Sequence, residues 1–283
     1  MGFDVTAELP LHGIRVVSIA VNLPGPAAAA RLQSLGAQVV TVLPPSGDPM
    51  EQYAAEFYEQ LHVGQELRTV DVKSEAGKRD IAELLDAADI LLTSSRASAL
   101  RRMGLDFASV HARHPQVCQV DIVGYPGELA DVPGHDLTYQ ADAGLLVDGH
   151  MPRTTIIDLA GAERAVAEAT TALVARGRLG VGVRREVALS DVAVAMSAPL
   201  RAGLTGPDQL LGGGLPVYSI YDTAEGRVAV AALEPHFMAR LLALLELSED
   251  ECTHEQIGRV LATRTAAEWA ALAEEHDVPL VAT

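Results

Sequence analysis

The feature that most constrains the fold is an alternation of short apolar runs with helix-forming segments in the first half of the chain. The first run, IRVVSIAV (14–21), is rich in β-branched residues and ends at LPGP, which leads into AAAARLQSLGA. A second run, QVVTVLPP (38–45), stops at two prolines. Such runs are typical of strands buried on both faces of a parallel sheet. The order therefore predicts a βαβ unit.

The alternation continues downstream. RTVDVK (68–73), DILLTSS (89–95) and the end of HARHPQVCQVDIVGY (111–125) predict further strands, with a helix over EAGKRDIAELLDAA (75–88). A long alanine-rich helix is predicted from Asp158 to about Gly177, followed by a strand in GVGVRREVALS. We expect an α/β fold with a Rossmann-like, doubly wound parallel sheet.

A concentration of glycine and proline, LTGPDQLLGGGLP (204–216), is typical of a linker. Residues 1–203 are then predicted to form a large domain. Residues 217–283 form a smaller α+β domain, with a strand pair in YSIYDTAEGRVAVAAL and helices around FMARLLALLEL and TAAEWAALAEEH.

The composition limits the class of partner. The net charge is −17, and binding of a phosphate backbone needs a basic face, so we expect no nucleic-acid partner. Two distant cysteines, the lack of a long apolar run and an N-terminus without a signal-peptide pattern predict a cytoplasmic protein with no membrane span. His111 and His114 have no second cluster nearby, which favours a solvated helix end over a metal site.

Two places carry residues suited to acid/base chemistry. His135 and Asp136 follow a Pro-Gly turn, and Asp158 stands where the long helix begins. A structural histidine and a helix-capping aspartate would explain both places. A carboxylate held by helix amides also tends to stay ionised at neutral pH, and could serve as base or nucleophile. The residue types alone leave these alternatives open.

Longer motifs carry a resemblance. Residues 11–49, with a GP turn, LGA, a proline pair and GDP, and residues 70–106 and 147–191 resemble the family III CoA-transferase superfamily. GHDLTY (134–139) and ALEPHF (232–237) resemble motifs of its α-methylacyl-CoA racemase branch, and Asp158 matches an aspartate that racemases and transferases share.

The resemblance implies an enzyme that inverts the α-carbon of a 2-methylacyl-CoA. His135 and Asp158 would act as bases on opposite faces, and Glu234 would hold the imidazole. Amides at the start of the helix after Asp158 would stabilise the enolate oxygen. The supporting residues would be Asp136, Gly134 and Gly161, with Gly161 allowing the backbone to approach the substrate.

CoA would bind as a substrate, and no tightly bound cofactor or metal is expected. The candidate cations for CoA are Arg68, Lys73, Arg96, Arg101 and Arg102. Three positions that are usually basic in the family are not basic here, in AVNLPGP, VVTVLPP and HVGQELR, so we expect weak, salt-sensitive binding.

Two other functions remain open at this point: a CoA-transferase with Asp158 as covalent nucleophile, and a non-catalytic relative with weakened CoA binding. The resemblance also implies a homodimer, possibly interlocked. From the same resemblance we expect the small domain to be without the C-terminal return to the first domain that is usual in the family.

Overall fold

The computed structural model describes residues 9–147 and 149–283. The first eight residues, on which part of the signal-peptide prediction depends, lie outside this range. The chain divides into two compact units, the first ending at Met196 and the second spanning Ser197–Thr283.

The first unit contains a six-stranded parallel sheet in the order β3-β2-β1-β4-β5-β6. The strands are β1 (Arg15–Ser18), β2 (Gln38–Leu43), β3 (Glu66–Thr69), β4 (Ile90–Thr93), β5 (Cys118–Val123) and β6 (Arg184–Ala188). The predicted doubly wound α/β fold is confirmed. The strand order reverses between β1 and β4, and ligands of such sheets bind beyond the carboxyl ends of the strands at that point.

Helices cover both faces of this sheet. They are α1 (Pro24–Ser34), α2 (Pro49–Tyr53), α3 (Ala55–His62), α4 (Glu75–Asp86), α5 (Ala97–Met103), α6 (Phe107–Arg113), α7 (Asp136–Asp142), α8 (Ile156–Leu179) and α9 (Leu189–Met196). One core joins the sheet to α1, α8 and α9, and another joins it to α4, α5 and α6. Every residue of β4 and β5 is buried, whereas the edge strand β3 is exposed throughout.

The structure departs from the sequence-based prediction in several details. Helices α2, α3, α7 and α9 were not predicted, and β3 begins at Glu66 rather than Arg68. The prediction of a solvated helix end at His114 is wrong: this side chain is buried, and its Nδ1 lies 3.0 Å from an Asp86 carboxylate oxygen.

The second unit is a three-stranded antiparallel sheet with helices. The strands, in spatial order, are β7 (Tyr218–Asp222), β8 (Arg227–Ala231) and β9 (Leu280–Ala282). The helices are α10 (Ala198–Arg201), α11 (Pro235–Leu244), α12 (His254–Leu261) and α13 (Ala266–Glu275). Trp269 lies in its core and donates from Nε1 to the Leu261 carbonyl.

The division between the units falls before the predicted boundary at residue 203. The predicted linker, 204–216, lies within the second unit. Backbone hydrogen bonds explain why: the amide of Leu204 donates to the Pro199 carbonyl, and the amide of Leu211 donates to the Leu204 carbonyl. The glycine-rich segment is thereby folded back on α10.

Candidate active site

A cavity of about 210 Å³ lies beyond the carboxyl ends of β1, β4, β5 and β6. We call it the switch-point cavity, because it lies where the strand order of the sheet reverses. Its wall brings together four residues predicted from the sequence, namely Arg96, Gly134, His135 and Asp158. Other polar residues in the wall are Asn22, Ser94, Ser95 and Tyr139.

His135 reaches this wall from the residue that precedes α7. Its backbone is extended, with φ −140° and ψ 166°, and its side chain is exposed. Thr138 fixes the turn, because its hydroxyl accepts from the His135 amide at 3.1 Å and donates to the His135 carbonyl at 2.8 Å. The Pro-Gly turn therefore holds the imidazole at the cavity while its backbone is anchored.

Asp158 lies in the first turn of α8 and does not cap that helix itself. The cap comes from Asp136, whose Oδ1 accepts from the amides of Ile157 at 2.8 Å and Asp158 at 3.0 Å. Thr155, at the capping position, makes no side-chain capping bond. The neighbour of His135 therefore fixes the backbone of Asp158, which ties the two candidate bases to one local framework.

Gln140 completes the support of Asp136. Its Nε2 donates to Asp136 Oδ2 at 2.5 Å and lies 3.5 Å from the Thr154 carbonyl. The Asp136 side chain is buried, so both of its oxygens are bound by donors from the protein. This leaves Asp136 as a supporting group, since it does not line the cavity.

The electrostatics of Asp158 differ from the expectation. Burial first, and then the negative charge of Asp136, raise the pKa of Asp158 to about 7. The expectation that helix amides keep it ionised at neutral pH is wrong, because the first free amides are occupied by Asp136. A carboxyl group with this pKa has both protonation states populated near neutrality, which suits proton transfer in either direction.

Two further expectations concern α8, and the first is wrong. The amides at its start are not available to an enolate oxygen, because those of Ile157 and Asp158 donate to Asp136 and that of Leu159 donates to the Thr155 carbonyl. Gly161 packs against another helix, since a Cβ there would lie 2.3 Å from Leu189 Cδ2, and it does not line the switch-point cavity. Its role in the approach of a substrate to the backbone stays a prediction.

Sequence reasoning missed Tyr139 and Asn22. Tyr139 follows His135 by four positions, so the start of α7 brings both to one side of the helix, and this spacing could have identified it. Asn22 has φ +65°, a left-handed conformation that is rare for a non-glycine residue. Its backbone N–H donates to the buried Asp48 carboxylate at 3.1 Å. No periodicity in the sequence indicates such a bend.

The five cations predicted to bind CoA lie at different places in the first unit. Arg96 precedes α5 and lines the switch-point cavity. Arg101 and Arg102 line a second cavity of about 480 Å³ between α4, α5 and α6, together with Lys78 and Arg113. We call it the basic cavity. Its lining contains no acidic residue in a chain with a net charge of −17.

The remaining two predicted cations lie in neither cavity. Lys73 is exposed between β3 and α4. Arg68 is exposed on the edge strand, where its Nε donates to Glu66 at 2.6 Å. Any role of either residue in CoA binding stays a prediction.

Glu234 lies in the second unit, at the residue that precedes α11. Its predicted contact with the His135 imidazole stays a prediction. Across residues 9–147 and 149–283, no three His, Cys, Asp or Glu side chains are grouped as a metal site would require. Over the same residues, no helix is both long and apolar enough to cross a bilayer.

The chain is similar to known proteins along most of its length. A family model described as CoA-transferase family III matches residues 11–282. A probable fatty acyl-CoA transferase of Mycobacterium tuberculosis is 26% identical, with 94% of this chain and 80% of that protein covered. The human alpha-methylacyl-CoA racemase is also 26% identical, with coverages of 95% and 76%. The crystal structure of a hypothetical protein from M. tuberculosis superposes with a TM-score of 0.83 at 26% identity, covering 97% of this chain and 85% of that one.

Proposed function

Because this chain belongs to CoA-transferase family III, whose members similar to it include racemases and CoA-transferases, we propose that it inverts the α-carbon of a 2-methylacyl-CoA by two-base proton transfer. The observation that carries the proposal is the presence of His135 and Asp158 in one wall of the switch-point cavity. The Asp158 carboxyl group has a pKa of about 7, and histidine is the side chain most often used as a general acid or base in enzymes.

The proton transfer runs as follows. The Asp158 carboxylate accepts the α-proton, and the C–H electron pair moves into the carbon–carbon bond of an enolate, which places negative charge on the thioester oxygen. The protonated His135 then gives its proton to the α-carbon from the opposite face, and the enolate electrons form the new C–H bond. Asp158 ends protonated and His135 neutral, and exchange with solvent returns both groups to their starting states. The opposite enantiomer reacts by the reverse sequence.

The pKa of about 7 supports this role for Asp158. A general acid or base is most effective when its pKa lies near the pH at which it works. Asp136 contributes to that pKa through its charge, and it fixes the carboxylate through the two amides at the start of α8. The pair Asp136–Asp158 therefore combines positioning with a raised proton affinity.

The test is α-proton exchange by the wild-type protein. A single enantiomer of a 2-methylacyl-CoA is incubated in D2O, and deuterium at the α-carbon and the enantiomeric ratio are followed by mass spectrometry and chiral chromatography. We expect deuterium incorporation together with loss of stereochemical purity. A protein that binds the thioester, exchanges no proton and leaves the enantiomer intact would contradict the proposal.

A CoA-transferase is the second candidate, and the similarity to the M. tuberculosis protein named as an acyl-CoA transferase favours it. In that reaction the Asp158 carboxylate attacks the thioester carbonyl, CoA leaves as its thiolate, and an acyl anhydride forms on the protein. Adding a free carboxylic acid to the same assay separates the two functions. Appearance of its CoA thioester, with a covalent adduct on Asp158, would establish the transferase and overturn the racemase.

For the CoA moiety, we propose that its phosphates bind at the basic cavity and that the thioester reaches the switch-point cavity. Helix α5 supports this arrangement, since Arg96 precedes it and its last turn carries Arg101 and Arg102. Binding by exposed cations fades as salt rises. A CoA titration also distinguishes a non-catalytic relative, because such a protein would bind no CoA at low or at physiological ionic strength.

The measurement is a calorimetric CoA titration at low and at physiological ionic strength. Arg102→Ala should raise the Kd about 3- to 10-fold, the size of one charge-assisted contact at an exposed site. Arg178→Ala is the matched control, because Arg178 is exposed near the end of α8 and lines neither cavity. An equal effect of the two substitutions, or binding that ignores salt, would place the phosphates elsewhere.

A homodimer stays a proposal that rests on the family resemblance. Light scattering at micromolar protein tests it, and a mass of one chain would contradict it.

A further inference from the structure

The proposed reaction places negative charge on the thioester oxygen, and the donor for that charge has to come from the cavity wall. The amides at the start of α8 are occupied, two by Asp136 and the next by the Thr155 carbonyl. Stabilising a developing oxyanion usually requires fixed donors that point at the oxygen. Another N–H or O–H group in the wall therefore has to serve as the donor.

Tyr139 is a side chain in that wall with a buried body and a hydroxyl group. It is 2% exposed, and its ring packs edge-on against Tyr125 at 5.4 Å between centroids. Two glycines that line the same cavity make room for it. A Cβ on Gly124 would lie 2.5 Å from the Tyr139 hydroxyl oxygen, and a Cβ on Gly134 would lie 2.6 Å from it.

These close approaches fix the position of the hydroxyl. It lies between the backbone that follows β5 and the backbone that precedes α7, which are both walls of the switch-point cavity. Gly134 was predicted as a supporting residue, and its role here is specific. Any side chain at this position would require the phenol ring or the backbone to shift.

The hydroxyl has no hydrogen-bond partner in the part of the chain that the structure describes. The Tyr139 hydroxyl is open to the switch-point cavity rather than buried, so, with no partner among the described residues, it is available to a ligand that enters there. Burial first, and then the charges of Tyr125 and Asp158, raise the pKa of Tyr139 to about 12. The phenol therefore keeps its proton at neutral pH and can act as a donor.

We propose that the Tyr139 hydroxyl donates a hydrogen bond to the thioester oxygen of the bound acyl-CoA and stabilises the enolate that forms during proton transfer. This inference rests on the proposed function. It makes Tyr139 a third catalytic residue, one that moves no proton. The phenol retains its hydrogen throughout, and the charge on the enolate oxygen is shared through the hydrogen bond.

The experiment compares Tyr139→Phe with wild type in the α-proton exchange assay. Removing one oxyanion donor typically lowers kcat by about 10²–10³-fold, and we expect a loss in this range with KM changed much less. Tyr125→Phe is the matched control, because Tyr125 loses the same atom, packs on the same ring and does not line the cavity. It should keep the wild-type rate. Wild-type kcat in Tyr139→Phe would overturn the inference and leave the two-base proposal intact.

A binding measurement keeps the inference testable without turnover. Acetyl-CoA and S-ethyl-CoA differ by the carbonyl oxygen at the thioester position. Wild type should bind acetyl-CoA more tightly than S-ethyl-CoA by about 2- to 10-fold, the size of one neutral hydrogen bond, and Tyr139→Phe should lose that preference. If wild type shows the preference but catalyses no exchange, the hydrogen bond stands and the racemase proposal fails. If both proteins bind the two ligands with the same ratio, the hydrogen bond is refuted.

Stability provides the last distinction. A phenol that serves only the fold would have a partner in the protein, and its loss would lower the melting temperature. Because this hydroxyl has no such partner, Tyr139→Phe should melt no lower than wild type. A clear drop in melting temperature, together with an unchanged kcat, would assign Tyr139 to the fold.

Discussion

Two carboxyl groups in the first unit, one buried and one half-buried, show how the surroundings of a carboxylate can serve different ends. Asp121, on β5, is 2% exposed, and its oxygens accept from Gln119 at 2.8 Å and from Arg184 at 2.6 Å. Asp158, at the start of α8, faces the switch-point cavity and is close enough to Asp136 for the two charges to repel. Burial is the largest cause of a raised pKa in both groups.

The two groups differ in whether neighbouring donors and cations offset the effect of burial on the pKa. At Asp121, the hydrogen bonds from Gln119 and Arg184 and the charge of the guanidinium oppose the effect of burial. At Asp158, the second contribution is the charge of Asp136, which adds to the effect of burial, and no cation among the described residues offsets it. A buried charge without a partner costs stability, and such groups are concentrated at functional sites. The lack of a compensating cation therefore sets Asp158 apart from Asp121, in keeping with the catalytic role proposed for it.

The sharpest test of this contrast is activity. His135→Ala and Asp158→Ala should each lower the rate of α-proton exchange by about 10²–10⁴-fold, because each removes the proton carrier of one face. Asp121→Asn should keep the wild-type rate, since Asp121 does not line the switch-point cavity. Exchange rates measured in D2O decide between these outcomes. Equal losses in all three variants would show that burial alone explains the effects.

Arg184→Leu removes the guanidinium group that offsets the cost of burying the Asp121 charge. Asp121 would lose its cation, so its already raised pKa should rise further, and unfolding free energy should fall by about 1–3 kcal/mol. A folded-state pKa above the unfolded value means that the stability present at low pH is lost as pH rises. Urea unfolding at pH 5 and pH 8 should therefore show the larger loss at pH 8.

Arg185→Leu is the control for that substitution. Arg185 pairs with Glu168 through a more exposed contact at 2.5 Å, and pairs of this kind contribute about 0–1 kcal/mol. A loss as large as that of Arg184→Leu would mean that the buried position of Asp121 does not matter.

At Asp158, where no cation among the described residues offsets the charge, we predict that substitution by asparagine stabilises the protein. Asp158→Asn removes a group whose pKa is raised from 3.8 to about 7 on folding. Ionised Asp158 destabilises the fold, so the gain should be absent near pH 4, grow as pH rises to about 7 and then level off. Since the carboxylate is only partly buried and borders an open cavity, we expect about 1–3 kcal/mol at pH 8. Denaturant unfolding across this pH range measures it, and a variant less stable than wild type at pH 8 would contradict it.

The smallest expected effect comes from Asp136→Asn. The asparagine oxygen can still accept from the amides of Ile157 and Asp158, and the Gln140 amide can turn to accept from its nitrogen, so the cap is kept. Loss of the Asp136 charge should lower the pKa of Asp158. The acidic limb of the pH–rate profile should accordingly move to lower pH. A limb that stays in place would show that burial alone sets this pKa.

Much of the sheet was predictable because its signals are local. The β-branched run at Val16–Val17 and the apolar run of β4 mark central strands by composition alone, and both are buried. The first turn of α8 was predicted to begin close to Asp158, within two residues of its observed start at Ile156. The candidate pair His135 and Asp158 came from motifs in the sequence, and the structure puts both in one cavity.

The supporting contacts were beyond reach of the sequence. Asp136 caps a helix that begins twenty residues later in the chain, and no periodicity indicates a hydrogen bond at that separation. Gly161 was given a role toward the substrate, whereas its missing Cβ is required by Leu189 on another helix. In the sequence, Tyr139 is only an aromatic residue that follows a turn. The structure shows that two glycines from different loops lie against its hydroxyl.

The sequence by itself therefore determined the alternation of elements and the parallel sheet, because strand burial and helix starts are written in neighbouring residues. Its longer motifs pointed to the two candidate bases only through a family resemblance. Only the tertiary structure decided the chemistry of those bases. The pKa of Asp158 depends on burial and on a charge contributed by another helix, and the donor proposed for an enolate depends on which amides that packing has already occupied. Both are properties of the electrostatic environment, which exists only once distant segments of the chain are packed together.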